Sequence, residues 1–199
     1  MENIKAFLKI TVRDKDGNIK YESEKMKSKS FLLQYMQHIF LFFAQNSGSV
    51  ANIKDTGGVL QTVYGPNYGA GTTNAHKIDA FAPDNNSTYG IVVGNGGAGN
   101  PVTTIDYKLF TQILHGLTAG TLDHGAMSIS DAIDNITYVS YQLSRNFYNA
   151  TASNISFDEV GIYVWSSQGY YCIIRDTISS VLIGPDQTAA VQYFMETYP

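Results

Sequence analysis

The chain runs to 199 residues, 44% hydrophobic and 13% aromatic, enough to close one core. Only 15% are charged, against roughly 25% in a typical globular chain. A net charge of -4 excludes the dense Lys and Arg cover that nucleic-acid binding requires.

The gap in charge is filled by Asn, Ser, Thr and Gly, a neutral polar surface suited to packing against copies of itself. Cys172 is the single cysteine, so no intrachain disulfide forms. It lies in the apolar run Tyr170–Ile174 and reads as an inert core thiol. The opening residues Met1–Lys5 show no basic region followed by an apolar core, so no secretory leader is expected. The stretch from Phe31 to Ala44 is interrupted by Gln34, Gln37 and His38 and is too short for a membrane span. Four Asn-X-Ser/Thr triplets, at Asn86, Asn135, Asn149 and Asn154, carry little weight in an Asn- and Thr-rich chain. Lys20, Lys25, Lys27 and Lys29 alternate with Glu22 and Glu24, which is the pattern of a solvated strand and turn.

In chain order, Phe7 to Val12 alternates as a strand does. The dense turn signal Asp14-Lys15-Asp16-Gly17-Asn18 follows, and Ile19 to Glu24 returns, giving a β-hairpin. Ser28-Lys29-Ser30 caps a predicted helix from about Phe31 to Gln45. Its apolar residues reach almost all the way round, which predicts burial on several sides. Residues 46–88 lose periodicity between turn clusters and read as an irregular loop or arm. That arm carries Val59, Leu60, Tyr64, Tyr68, Ile78 and Phe81, which a solvated linker would lack, so they are the expected subunit interface. Tyr89 to Val93 is a strand, and Ile105 to Ile113 is ambiguous between strand and helix. Further strands are predicted at 126–129, 136–147, 155–164, 170–176 and 189–195. The fold class is therefore mostly β. It is a single antiparallel, jelly-roll-like β-sandwich domain over 1–199, with a hairpin and one buried helix in 1–45, the excursion, and a β-meander over 89–199.

Candidate chemistry is sparse. Gly94-Asn95-Gly96-Gly97-Ala98-Gly99 matches the dinucleotide fingerprint in form. No helix pattern opens there to receive a pyrophosphate, so it reads as a glycine loop. His115, His124 and Asp123 are the one combination that suggests a metal, but they lack ligand spacing. His38 and His76 stand apart. Asp14-X-Asp16-Gly17 lacks the later ligands of a calcium loop. Asp158-Glu159 is a carboxylate pair that strand alternation sends to opposite faces. Neither a cofactor nor an enzymatic activity is expected. Arg145 and Arg175 occur in apolar strands, with Glu159 and Asp176 as expected ion-pair partners that fix register or bridge subunits.

Several blocks resemble a recurring module in minor structural proteins of tailed phages and archaeal tailed viruses. They are Gly90-Ile91-Val92-Val93-Gly94, Asp106-Tyr107-Lys108-Leu109, and Leu143 to Asn149. Ile155 to Tyr163 and Ile173 to Ile178 complete them, and the hairpin with Ser28-Lys29-Ser30-Phe31 resembles the opening of such proteins. The resemblance implies a virion component made in the host cytoplasm. It would be used in multiple copies, with itself and other virion proteins as partners and neither nucleic acid nor membrane. Two other readings remain: a glycan-binding module presenting Tyr side chains and Trp165, and a depolymerase needing two acidic groups in one groove.

Overall fold

The computed structural model describes residues 4–28, 30–43, 50–65, 78–166 and 168–198. In chain order it forms β1 (Ile4–Arg13), β2 (Ile19–Glu22), β3 (Met26–Lys27), α1 (Leu33–Phe43), β4 (Val50–Lys54) and β5 (Leu60–Tyr64). Then come β6 (Gly90–Asn95), β7 (Thr111–Gln112), β8 (Asp123–His124), β9 (Ser128–Ile129) and β10 (Ile133–Asp134). Four long strands close the chain: β11 (Val139–Tyr148), β12 (Ile155–Ser166), β13 (Gly169–Ile183) and β14 (Thr188–Thr197).

The strands build two main antiparallel sheets. The larger has the order β10-β11-β14-β1-β2, with β3 added to β1 and β8 and β9 added to β11. The smaller has the order β13-β12-β6-β7. Alternation decides which residues line the space between them. In β1, Ala6, Leu8, Ile10 and Val12 are buried. Register places Leu8 opposite Tyr193 and Ile10 opposite Val191, and β11 continues those rows with Leu143 and Arg145. From the smaller sheet, Ile91, Val93, Phe157, Ile162, Val164 and Ile174 join the same core. The protein is thus mostly β, an antiparallel sandwich with one helix among the described residues.

The β1–β2 hairpin forms as its turn chemistry dictates. Asp14 Oδ1 accepts hydrogen bonds from the Asp16 and Asn18 amides, at 3.0 and 2.9 Å. Gly17 takes the positive φ of 85° that the turn needs.

The smaller sheet is covered on its outer face as well. The 96–110 loop and Leu32 lie there, and Val92, Leu109, Tyr163 and Cys172 form a second small core with Leu32. This is why the middle of β12 is buried on both faces instead of alternating. The thiol of Cys172 is fully enclosed, and burial pushes its pKa well up.

Three expectations need correction. Residues 50–64 of the excursion are a regular antiparallel hairpin, β4 against β5, with Ile53 and Val63 buried in the main core. Residues 66–77, including Tyr68 and His76, lie outside the described residues. The ambiguous 105–113 segment is loop, ending in the two-residue strand β7. The third correction concerns α1. The helix exists, but it is not buried on several sides: it buries only Gln34, His38 and Leu41. Its apolar residues Leu33, Met36, Phe40 and Phe43 are 48%, 59%, 56% and 78% exposed.

Candidate functional site

Three features qualify as candidates: a polar network on the outer face of the smaller sheet, a cleft beside it, and the outward face of α1.

The network centres on Arg175 of β13. Its Nε donates to Glu159 Oε1 at 2.9 Å, and its Nη2 reaches the same oxygen. Nη1 meets Asp106 Oδ2, and Nη2 also reaches the Asn100 carbonyl at 3.2 Å. The second oxygen of Glu159 accepts the Phe110 amide at 2.8 Å, so this fully buried carboxylate is satisfied on both sides. Burial pushes the Asp106 carboxyl up. Hydrogen bonds from the Thr103 amide and hydroxyl, together with Arg175, outweigh that and hold it below its ordinary value.

This rearranges the expected ion pairs. Arg175 takes Glu159, and no carboxylate among the described residues bonds Arg145. Arg145 occupies an inward-facing position between Leu143 and Phe147, and its guanidinium serves carbonyl oxygens. Nε donates to Gly125 at 2.7 Å, and Nη1 to Tyr89 and Ile91 at 3.1 and 3.0 Å. Nη2 reaches Asn86. The five-donor fork thereby ties the 83–91 segment and the Gly125 turn to β11. Burial lowers the Arg145 pKa to about 10, leaving it charged at neutral pH. Asp176 accepts hydrogen bonds from Ser30 Oγ at 3.2 Å and Tyr193 OH at 3.0 Å.

The glycine loop has an anion of its own. The Gly97 and Ala98 amides donate to Asp158 Oδ1 and Oδ2 at 2.8 and 3.3 Å. These two backbone amides are thereby already paired with a side-chain carboxylate. An irregularity in the β12–β13 ladder falls between Phe157 and Glu159, so strict alternation fails there. Asp158 and Glu159 both reach the 96–110 loop, each with separate partners.

His115 and His124 lie 6.0 Å apart between ring centroids, and His115 Nδ1 is 3.5 Å from Asp123 Oδ1. Among the described residues no three His, Cys, Asp or Glu side chains gather as a metal cage. His124 is fully enclosed and packs edge-on against Phe147 at 4.9 Å. Burial, then the charges of Arg145 and His115, depresses its pKa to about 3.

A cleft of about 970 Å³ opens between residues 26–32, the 97–104 loop and residues 176–179. Hydroxyl side chains including Ser28, Ser30 and Thr177 share its lining with Phe31, Ile178 and Asp176. Ser28 Oγ is buried and has no hydrogen-bond partner among the described residues. Trp165 is half-buried, with its backbone paired to Asp79 in both directions.

Of the expected interface residues, Val59, Leu60, Ile78 and Phe81 are exposed and Tyr64 is half-buried. Sequence reading missed the outward face of α1. The signal was present: Leu33, Met36, Phe40 and Phe43 recur at spacings of three, four and three. α1 contains no charged residue, and no described helix is long and apolar enough to cross a membrane.

No family model, curated protein or solved structure matches the chain.

Proposed function

We propose that the chain is a structural or assembly subunit of a tailed-virus particle, working through multi-copy protein–protein contacts as a head-decoration, collar, fibre-anchoring or tail-associated component. The observation that carries this reading is the apolar surface left outside a complete core. The outward face of α1, the hairpin residues Val59 and Leu60, and Ile78 and Phe81 are exposed while both cores are closed. Clusters of exposed apolar side chains on a folded chain mark contact sites. The sparse charge adds support, since copies repel each other little.

The blocks that resemble the virion module come together in space, which also favours the reading. Glu159 and Arg175, with Asp106, form the network on the smaller sheet, and Arg145 ties that sheet's Ile91 to the larger one. Their roles are positional, and this reading assigns the chain no catalysis or cofactor. It would be made in the host cytoplasm and reside in the virion.

The test is to express the coding sequence with its neighbouring genes, isolate particles by sedimentation, and quantify this chain in them. A fixed stoichiometry of several copies per particle is expected. A chain left wholly in the soluble fraction would overturn the proposal.

A second reading, glycan attachment, draws on the cleft. Its hydroxyl side chains, the Asp176 carboxylate and the apolar faces of Phe31 and Ile178 offer the mixed surface that a sugar ring needs. A glycan array probed with the purified chain decides it, and an empty array removes it.

A further inference from the structure

α1 is turned with its polarity reversed. A surface helix ordinarily buries its apolar stripe and shows polar residues to water. Here Gln34 and His38 are 2% and 1% exposed, while Leu33, Met36, Phe40 and Phe43 face outward. Those four lie at i, i+3, i+7 and i+10, the spacing that places side chains in a single seam. Such a seam fits the grooves of another helix. α1 is the only helix among the described residues, so none of them can supply that partner.

We infer that the seam packs against the same seam of a second copy, the two α1 helices meeting antiparallel about a twofold axis. This rests on the multi-copy reading above and names the partner of that surface. Three observations select a copy of this chain. A charge-free helix has no repulsion to overcome and no charge pattern demanding a different, complementary protein. A seam of one leucine, one methionine and two phenylalanines is self-complementary, with Met36 able to fill the gaps between rings. The area fits a weak, concentration-dependent dimer. At roughly 200 Å² for a large side chain, the exposed parts of the four residues present on the order of 450 Å². Two copies together would bury about 900 Å² at most, just under the ~1,000 Å² of a specific stable interface, so the association is a weak one. The β4–β5 hairpin lies alongside, with Gln37 Nε2 donating to the Asn52 carbonyl at 3.1 Å, and adds to the rim.

The helix is held firmly enough to serve. Leu41 joins the main core, and His38 packs edge-on against Tyr171 at 4.9 Å. The chain entering α1 is hydrogen-bonded to β13, where the Leu32 amide donates to the Ile173 carbonyl at 3.0 Å. A stripe mounted on a sheet in this way is already ordered, so association loses little further entropy.

Sedimentation equilibrium of the full chain, from dilute to concentrated, tests the inference. The wild type is expected to shift from monomer mass toward twice that mass. Phe40→Glu and Met36→Gln should each weaken association about tenfold or more, the scale of an anchor residue. Lys15→Glu, exposed in the β1–β2 turn outside the seam, should leave association unchanged. Phe40→Glu keeps its fold because the side chain is exposed, and circular dichroism checks this. If it does not fold, the neutral Met36→Gln change gives the same reading. A wild type that stays monomeric throughout overturns the inference, as does association that neither seam variant weakens. Self-association decides the helix contact alone, and incorporation into particles decides the virion reading alone, so either can fail without the other.

Discussion

His38 and Phe40 lie two residues apart on α1 and face opposite ways: the histidine packs against Tyr171 in the interior, and the phenylalanine is 56% exposed. The energetic consequence is the reverse of what the two side chains suggest. Phe40→Asp, measured by urea unfolding at low protein concentration, should change stability by no more than about 0.5 kcal/mol, as for other surface positions. Leu41→Ala, one residue along and fully buried, should cost about 2–5 kcal/mol. Equal losses at the two positions would mean that the helix sits the other way round.

The Arg175–Glu159 pair is closed off from water, so removing either partner should be costly. Arg175→Leu leaves Glu159 charged and buried, and Glu159→Gln weakens the hold on Arg175. Each should cost about 3–5 kcal/mol. Arg175→Lys should recover little, because an ammonium cannot serve Glu159, Asp106 and the Asn100 carbonyl together. The double change to well-packed apolar residues should be milder than either single change. Chemical denaturation of the four variants checks the ordering.

His124 should make the fold sensitive to acid. Its folded pKa, about 3, lies below the ordinary 6.5, so between those values the unfolded chain binds the proton and the folded chain does not. Stability therefore falls as pH drops through that window, by at most about 1.4 kcal/mol per pH unit from this group. Asp106, with its lowered pKa, adds to the loss at the acid end, as its carboxylate takes up a proton. The His124→Gln variant should show a shallower decline between pH 7 and 4, a window bounded by these pKa values. Parallel curves for the two proteins would remove His124 as the sensor.

Gly97 is where the loop meets β12. A methyl group there would approach the Asp158 carbonyl and Glu159 Cγ, both at 2.6 Å. Gly97→Ala should lift the loop away from Asp158 and cost about 1–3 kcal/mol, the range for overpacking. Gly99→Ala, with open space around it, strains only its φ of 89° and should cost less. Thermal unfolding of the two variants gives the comparison.

The sequence made parts of this molecule legible and hid others for identifiable reasons. The β1–β2 hairpin was readable because Ala6, Leu8, Ile10 and Val12 alternate cleanly and Asp14 to Asn18 carry turn chemistry. The β4–β5 hairpin was not, because among the residues whose burial is described each strand has one deeply buried anchor, Ile53 or Val63, too few for alternation to show. The α1 residues announced a helix but not its orientation, since a helix apolar on most sides gives no clue that Gln34 and His38 go inward. The ion pairs were half legible. Arg175 and Glu159 lie on paired strands, whereas Asp106 arrives from a loop distant in sequence, and the carbonyl oxygens around Arg145 come from two separate stretches, the 83–91 segment and Gly125. The glycine loop was legible as a turn following β6, but its partner Asp158 depended on a ladder irregularity that alternation cannot foresee.

Hydrogen exchange across residues 33–43, followed as protein concentration rises, tests most directly whether another copy covers the outward seam. Exchange in α1 should slow with concentration, while the β1–β2 turn exchanges at a constant rate. Exchange in α1 that is the same at every concentration, in a chain shown to be folded, would contradict the account.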